Sequence, residues 1–352
     1  MVEGEARTAV VVNGNAKNVN EDVIASIKRV LGERDLFVSQ RLEQAPTIAQ
    51  KIVERGYGTV LTGGGDGTFT VMVTEVVKAA EKAGLGAPRF GVLKLGTGNA
   101  LAWVVGPSTL GSKNRPIEQQ ELLRGTGSKK IQLVEVEGYL TPFAGLGADA
   151  QVLADYHATR DALHGTLLQP FGRGLCGYGV AAVTRSLPGA FRRPMPLVRI
   201  YNDGETAWRV TQAGVCYDQP IEKGQLIYEG KARIAALSTI PFYGFGMRLF
   251  PFADARSDRM NLRVSTLGSG QFVRHMSGIW NGTYENTAHL FDYLVDRVRI
   301  EADHATDFQI GGDSRGVRTT LSASVSKYPF ELVDYRRTHR RPGSRAESMV
   351  GA

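Results

Sequence analysis

Cysteine is scarce in this chain, which contains only Cys176 and Cys216 among its 352 residues. Two cysteines provide neither a disulfide framework nor a complete structural zinc site, so the sequence excludes small domains of both kinds. Such low usage is typical of proteins from a reducing compartment, and we therefore expect a cytoplasmic protein.

Long apolar runs are also missing, because no stretch of the sequence approaches 18 apolar residues. The sequence therefore predicts no transmembrane helix. The N-terminal segment carries acidic residues and passes directly into a strand-like stretch, which is unlike a signal peptide. HExxH and CxxC motifs are absent too, so metalloprotease and dithiol chemistry have no support.

Positive charge is in excess, since the sequence has 42 Lys and Arg residues but 35 Asp and Glu residues, which gives a net charge of +7. This balance suits a protein that meets nucleotides, acidic lipid headgroups or nucleic acid. Several of the cations crowd residues 336–352, a segment that is either a solvated disordered tail or a contact with an anionic membrane. No aromatic residues interleave with these arginines, so we expect no nucleic acid partner.

A glycine-rich turn, Thr59–Thr70 (TVLTGGGDGTFT), is the most informative stretch of the sequence. It follows a short apolar run and precedes a predicted helix, Val71–Ala83. It is either a tight connection between strand and helix or a loop whose backbone N–H groups bind phosphate. It is not a Walker A loop, since no Gly-Lys-Ser/Thr follows, and the third glycine of a Rossmann fingerprint would fall on Thr68.

The carboxylate of Asp66 lies inside this turn. A carboxylate repels a bare polyphosphate unless a divalent cation intervenes or the group is placed to accept a proton. Both options favour phosphoryl transfer.

A second glycine turn follows the strand-like stretch Phe90–Leu95 and reads GTGNALA from Gly96 onward. Alternating strands and helices at this spacing predict a parallel sheet covered on both faces. In such a sheet the two turns meet at the carboxyl edge, where open α/β sheets bind ligands.

GGDGT followed by GTGNALA resembles the diacylglycerol kinase catalytic-domain superfamily, which includes bacterial diacylglycerol kinases, YegS-like lipid kinases, sphingosine kinases and ceramide kinases. Weaker likenesses at Phe143–Ala150, Phe250–Leu262 and Phe308–Asp313 extend the resemblance over about residues 8–335. It implies an ATP-dependent lipid kinase that uses Mg²⁺, with Asp66 as general base. The acceptor would be a membrane-derived lipid of diacylglycerol or sphingoid type.

The resemblance also implies a fold. Residues 1–127 would form an α/β ATP-binding domain, and residues 128–335 a β-rich, sandwich-like lipid domain whose last strand returns to the first domain. Residues 336–352 would be the basic tail. Independently, the pattern predicts a helix at Asn20–Leu31 with Asn20 as its N-cap, strand texture from Ile131 onward and a helix around Leu175–Ser186.

The site residues implied by the resemblance fall into three groups. Asp66 and Asp313 are the catalytic and metal-binding candidates, although Asp313 also suits a Gly-Gly-Asp hairpin turn. Asp149 is either a reader of the lipid headgroup or a structural turn residue. The ATP-binding candidates are Asn13, Ser39, Gly64, Gly65, Gly67, Thr68, Gly96, Thr97, Gly98 and Asn99, of which Asn99 also suits a helix cap.

Two departures from the family pattern leave alternatives open. Thr70-Val71 stands where an Asn/His-Glu pair is usual, and Ala100 stands where diacylglycerol kinases have Asp. A kinase of the NAD kinase type, acting on a soluble substrate, and an inactive nucleotide-binding scaffold are the alternatives. An Asn-x-Gly-x-x-Gly-Phe-Leu stretch, expected of NAD kinases, is absent. We expect peripheral attachment to the membrane surface and leave a homodimer open.

Overall fold

Two β-sheets organise the computed structural model, which describes residues 7–16, 18–96, 98–106, 127–147 and 195–338. The first sheet has six strands in the order β2-β1-β3-β4-β18-β5. β1 to β4 and β18 run parallel, and β5 pairs antiparallel with β18. The strands are β1 (Thr8–Asn13), β2 (Leu36–Ser39), β3 (Thr59–Gly64), β4 (Arg89–Lys94), β5 (Ser128–Ile131) and β18 (Phe330–Val333).

Helices connect the parallel strands, as the alternating pattern predicts. Asn20 caps the first helix as predicted, since its Oδ1 accepts a 2.9 Å hydrogen bond from the N–H of Val23. The helices are α1 (Glu21–Leu31), α2 (Ala45–Glu54), α3 (Asp66–Lys82) and α4 (Ala100–Val105), with 3₁₀ turns at Glu33–Asp35 and Leu42–Gln44.

The third helix begins at Asp66, so the predicted start at Val71 is wrong. Gly65 is the extended N-cap, and Gly64 still belongs to β3. A Cβ on Gly64 would lie 2.4 Å from Oγ1 of Thr68, so only glycine lets the first helical turn fold back on the strand end. The glycines thus shorten the loop and put Asp66 in the first turn of a helix.

The second sheet has twelve strands, all paired antiparallel. Within the predicted strand texture, β10 and β11 form a hairpin that turns before Gly214, whose φ is +122°. The strands are β6 (Val134–Val136), β7 (Tyr139–Thr141), β8 (Phe143–Gly147), β9 (Leu197–Asn202), β10 (Ala207–Thr211), β11 (Gly214–Ile221), β12 (Leu226–Lys231), β13 (Ile234–Ser238), β14 (Met260–Ser265), β15 (Leu290–Val295), β16 (Arg297–Ile310) and β17 (Asp313–Val325).

Three short helices complete the described chain, namely α5 (Ser269–Arg274), α6 (Met276–Asn281) and α7 (Tyr335–Thr338). None of the helices in the described ranges has the length and apolar character that a bilayer crossing requires. The predicted helix around Leu175–Ser186 and the tail beyond residue 338 lie outside the described residues.

One hydrophobic core joins the two sheets. Buried side chains of β3 and β4, such as Leu61 and Phe90, belong to the same cluster as Phe143 on β8 and Phe250 before β14. β18 adds to this connection, because it follows the second sheet in the chain but pairs with β4 in the first. The carboxyl ends of the parallel strands therefore face residues of the second sheet.

Candidate active site

The crevice at the carboxyl edge of the first sheet opens where the strand order changes direction. β2 lies on one side of β1 and β3 on the other, so the connections after β1 and β3 leave the sheet in opposite directions. Asn13 at the end of β1 spans the gap, donating from Nδ2 to Oγ1 of Thr68 at 3.2 Å. Ser39 ends β2 beside Asn13, and its hydroxyl donates to the carbonyl of Arg41 at 3.0 Å.

The two glycine turns touch each other. A Cβ on Gly96 would lie 2.3 Å from Cα of Gly65, and one on Gly98 would lie 3.5 Å from Oδ2 of Asp66. The turns after β3 and β4 therefore form one continuous surface of backbone around the Asp66 carboxylate. The described ATP-binding candidates thus lie along one sheet edge, while Thr97 lies outside the described residues.

Asp66 is held between two helices. It is the first residue of α3, and its carboxylate accepts hydrogen bonds from Ala100 N–H at 2.9 Å and Leu101 N–H at 3.3 Å. Burial raises the pKa of Asp66 to about 6, and the charge of Asp313 adds to this rise, whereas the two N–H bonds act in the opposite direction. A carboxylate with such a pKa is charged at neutral pH yet accepts a proton more readily than an exposed one.

Asp313 reaches the same place from the second sheet. β16 and β17 form a hairpin with Gly311 and Gly312 as its two turn residues, at φ +58° and +82°. Asp313 follows this turn, and a Cβ on Gly67 would lie 2.2 Å from its Oδ2. Asp313 therefore belongs to a hairpin turn and also lies in the cleft, because the turn carries it to the start of α3.

The two carboxylates fit a magnesium ion. Within the described ranges no group of three or more His, Cys, Asp or Glu residues is placed to hold a metal. Mg²⁺ at a phosphoryl-transfer site commonly takes one or two carboxylates, with substrate phosphates and water supplying the other oxygens. Asp66 and Asp313 provide that donor set, and the lack of a Cβ on Gly67 leaves room for the Asp313 carboxylate.

Asn99 shapes the second turn. Its backbone is left-handed, with φ +48°, and its side chain is buried. Nδ2 donates to the carbonyl of Gly96 at 2.6 Å, and Oδ1 accepts from the N–H of Gly96 at 3.3 Å. Asn99 holds the N-cap position of α4, as the cap interpretation predicts, but the first N–H groups of that helix bond to Asp66 instead.

Thr70 was missed as a site residue because sequence reasoning treated it only as a departure from the family pattern. Its buried hydroxyl lies 3.0 Å from the hydroxyl of Thr141, which lies next to the β16–β17 turn. A Cβ on Gly311 would lie 2.3 Å from Oγ1 of Thr70, and Gly311 N–H donates to Phe143 at 2.9 Å. Thr70 therefore connects the helix that carries Asp66 to the hairpin that carries Asp313.

Two further predictions concern Asp149 and the basic tail. Asp149, the predicted headgroup contact, lies outside the described residues. Arg336, the first residue of the predicted tail, lies at the far end of α4, where its guanidinium donates to the carbonyl of Val104 and lies 3.4 Å from Asp334.

A carboxylate held by two glycine turns at the carboxyl edge of a parallel sheet defines a phosphotransferase-like site, and comparison with known proteins agrees. Residues 7–136 match the family described as the diacylglycerol kinase catalytic domain. This match confirms the resemblance seen in the glycine turns. No curated protein matches the chain.

Solved structures extend the likeness beyond that segment. A candidate diacylglycerol kinase from Bacillus anthracis strain Sterne superposes with TM-score 0.61 at 15% identity, covering 96% of this chain and 100% of the other. A second structure of such a protein from that strain superposes with TM-score 0.62 at 16% identity, covering 94% of this chain and 97% of the other. A third structure, of a diacylglycerol kinase from the same strain, superposes with TM-score 0.55 at 13% identity, covering 96% of this chain and 100% of the other. Identities this low speak for the fold alone, and they confirm the predicted α/β sheet followed by a β-rich part.

Proposed function

We propose that the protein is an ATP-dependent lipid kinase. It would transfer the γ-phosphoryl group of ATP to a hydroxyl of a membrane-derived lipid of diacylglycerol or sphingoid type. The observation that carries the proposal is the pairing of Asp66 with Asp313 where two glycine turns meet, with both turns inside the segment that matches the diacylglycerol kinase catalytic domain.

The sheet edge supports nucleotide binding. Backbone N–H groups of the turns at Gly64–Thr68 and Gly96–Asn99 would donate to phosphate oxygens, and the N-terminus of α3 favours negative charge there. Asn13, Ser39 and the hydroxyl of Thr68 line the same edge and would add side-chain contacts. Phosphoryl transfer depends chiefly on such positioning and charge stabilisation.

Asp66 would act as the general base. The lipid hydroxyl oxygen forms a bond to the γ-phosphorus while the bond from that phosphorus to the bridging oxygen breaks, and ADP leaves with the electron pair. The hydroxyl proton passes to the carboxylate of Asp66, whose pKa of about 6 keeps it deprotonated but basic at neutral pH. The negative charge of Asp313 adds to the rise in the pKa of Asp66.

Asp66 and Asp313 would also hold Mg²⁺. When bound, the ion neutralises charge on the phosphate oxygens. Asp149 as a headgroup contact, and the tail of residues 336–352 as a contact with an anionic membrane, belong to the same proposal. Together they describe a cytoplasmic enzyme that works at the membrane surface.

The test is transfer of labelled phosphate from γ-labelled ATP with Mg²⁺ to diacylglycerol, monoacylglycerol, sphingosine and ceramide in mixed micelles. We expect one of these lipids to be labelled, and Asp66→Asn to lower the rate about 10³-fold, the scale of general-base catalysis. Asp254→Asn, which alters an exposed carboxylate away from the site, is the matched control and should behave as wild type.

Labelling of NAD instead of any lipid would favour the soluble-substrate alternative. Binding of ATP without transfer to either kind of acceptor would favour the scaffold. Both results would contradict the lipid-kinase proposal.

A further inference from the structure

A pair of aromatic rings lies at the surface close to the candidate site. Trp103 on α4 is 45% exposed, and its ring centroid lies 6.1 Å from that of Phe242. All three tryptophans of the chain fall within the described residues, and Trp208 and Trp280 are only half-exposed or less. The largest side chain that faces solvent on α4 is therefore a tryptophan beside a second aromatic ring.

Two cations flank these rings. Nζ of Lys94 lies 5.2 Å from the centroid of Trp103, and the guanidinium of Arg248 lies 5.6 Å from that of Phe242. Each ring thus makes a cation–π contact with a basic side chain, which is favourable and keeps the charged group near the surface. We refer to Lys94, Trp103, Phe242 and Arg248 as the aromatic–cationic rim.

The rim is fixed to the loop that follows β13. Phe245 has φ +57°, a left-handed backbone that is unfavourable for an aromatic residue, and Gly246 follows at φ +84°. A Cβ on Gly246 would lie 2.9 Å from the indole of Trp103, so the loop backbone approaches that ring directly. Strained backbone of this kind persists only where the surrounding structure enforces it, and it is concentrated at functional sites.

The same loop reaches the catalytic carboxylate. Phe245 N–H donates to the carbonyl of Gly98 at 3.2 Å, and a Cβ on Gly98 would lie 3.5 Å from Oδ2 of Asp66. On the other side, α4 joins Trp103 to Asp66 directly, since its first two N–H groups bond to that carboxylate. The rim therefore lies about one helical turn from the group proposed to accept the hydroxyl proton.

We propose that the aromatic–cationic rim docks the protein on an anionic lipid bilayer and so presents the acceptor hydroxyl to Asp66. Tryptophan favours the boundary between hydrocarbon and headgroups, because its indole is apolar with one polar N–H. Lys94 and Arg248 complement the negative charge of an anionic leaflet. The inference rests on the proposed function, since it assigns the surface through which that kinase meets its acceptor.

Binding is measured by sedimentation of the full chain with vesicles of phosphatidylcholine and phosphatidylglycerol in equal amounts, and with pure phosphatidylcholine. We expect stronger binding to the anionic vesicles. Trp103→Ala should weaken that binding about ten-fold, from lost apolar burial. Arg248→Gln should weaken it about five-fold, from lost attraction. Tyr328→Ala is the matched control, since Tyr328 is 61% exposed with Lys327 5.2 Å from its ring, and it should bind as wild type.

A kinetic comparison checks that the rim acts through the membrane. Each variant is assayed with an acceptor embedded in the anionic vesicles and with a short-chain, water-soluble analogue. The ratio of the vesicle rate to the soluble rate should fall at least about five-fold in Trp103→Ala and Arg248→Gln, since only the first assay needs docking.

Vesicle binding by both rim variants equal to that of Tyr328→Ala would overturn the inference, as would equal binding to neutral and anionic vesicles. Failure of the proposed function is a separate result. In that case the wild type transfers phosphate to neither acceptor, and sedimentation still decides the role of the rim.

Discussion

The two glycine turns look alike in sequence but have different roles in the structure. The turn after β3 opens a long helix, α3, and provides the carboxylate of Asp66. The turn after β4 opens only the six residues of α4 and provides backbone N–H groups that hold that carboxylate. One turn therefore carries the proposed base, and the other positions it through N–H groups that oppose the rise in its pKa.

The difference comes from what surrounds each turn. In the first, glycine is needed because side chains come close, with Thr68 packing against Gly64 and Asp313 against Gly67. In the second, Asn99 takes the left-handed conformation, and its side chain closes the turn on Gly96. A Gly-rich motif thus identifies a phosphate-type turn without saying which turn carries the chemistry.

Among substitutions that keep both carboxylates, Gly67→Ala in the first turn should have the largest effect. The new Cβ would lie 2.2 Å from Oδ2 of Asp313, so that carboxylate must move away from Gly67 and leave its present position in the site. Displacement of a catalytic group by about 1 Å costs roughly 100-fold in rate, and we expect a loss of that size in kcat. The fold should survive, because the atom displaced is the end of a side chain. Steady-state phosphate transfer and thermal unfolding measure the two effects.

Gly86→Ala is the control for this substitution, because a Cβ there meets nothing within 4 Å. It should leave both rate and stability unchanged. Full activity of Gly67→Ala would show that the rate of transfer does not depend on the position of Asp313.

A smaller effect is expected from Thr70→Val, which keeps the shape of the side chain but removes its hydroxyl. The bond to the hydroxyl of Thr141 would be lost, while that hydroxyl still donates to the carbonyl of Phe143 at 3.1 Å, so we expect a stability loss of about 1 kcal/mol. Because this bond ties α3 to the Asp313 hairpin, we expect kcat to fall about ten-fold as well. Thr70→Ser keeps the hydroxyl and should restore most of the activity. A Thr70→Ser variant as slow as Thr70→Val would assign the loss to packing alone.

The smallest effect is expected in the second turn, from Asn99→Ala. This variant loses two hydrogen bonds to Gly96 and places Ala at φ +48°, so we expect a stability loss of about 2 kcal/mol. Asn99→Gly tolerates that backbone and should lose less. In both variants the KM for ATP should rise more than kcat falls. A larger change in kcat, measured in the transfer assay, would mean that the second turn takes part in the chemistry directly.

Local pattern was enough to predict much of the first sheet. Asn20 was correctly predicted as a cap, because a capping side chain bonds only to its own helix. The two glycine turns were found because apolar runs that end in glycine are local features. The fold class followed from the alternation of these elements.

Contacts between distant segments could not be predicted in this way. Thr70 and Thr141 lie 71 residues apart, and no periodicity connects them. The start of α3 was misplaced because three glycines predict a loop, whereas here the lack of a Cβ lets the helix begin at once. The burial that raises the pKa of Asp66, and the hydrogen bonds from α4 that oppose this rise, also depend on tertiary packing, so the shift was not predictable from the motif.

The most direct test of the account is the pH dependence of kcat/KM for the acceptor between about pH 5 and about pH 8, since this parameter reports the free enzyme. Burial, with the added charge of Asp313, raises the pKa of Asp66 to about 6, and the base is active only when deprotonated. We therefore expect kcat/KM to be level above that pH and to fall about ten-fold per pH unit well below it. A rate that stays level down to about pH 5 would contradict the assignment of Asp66 as a buried general base.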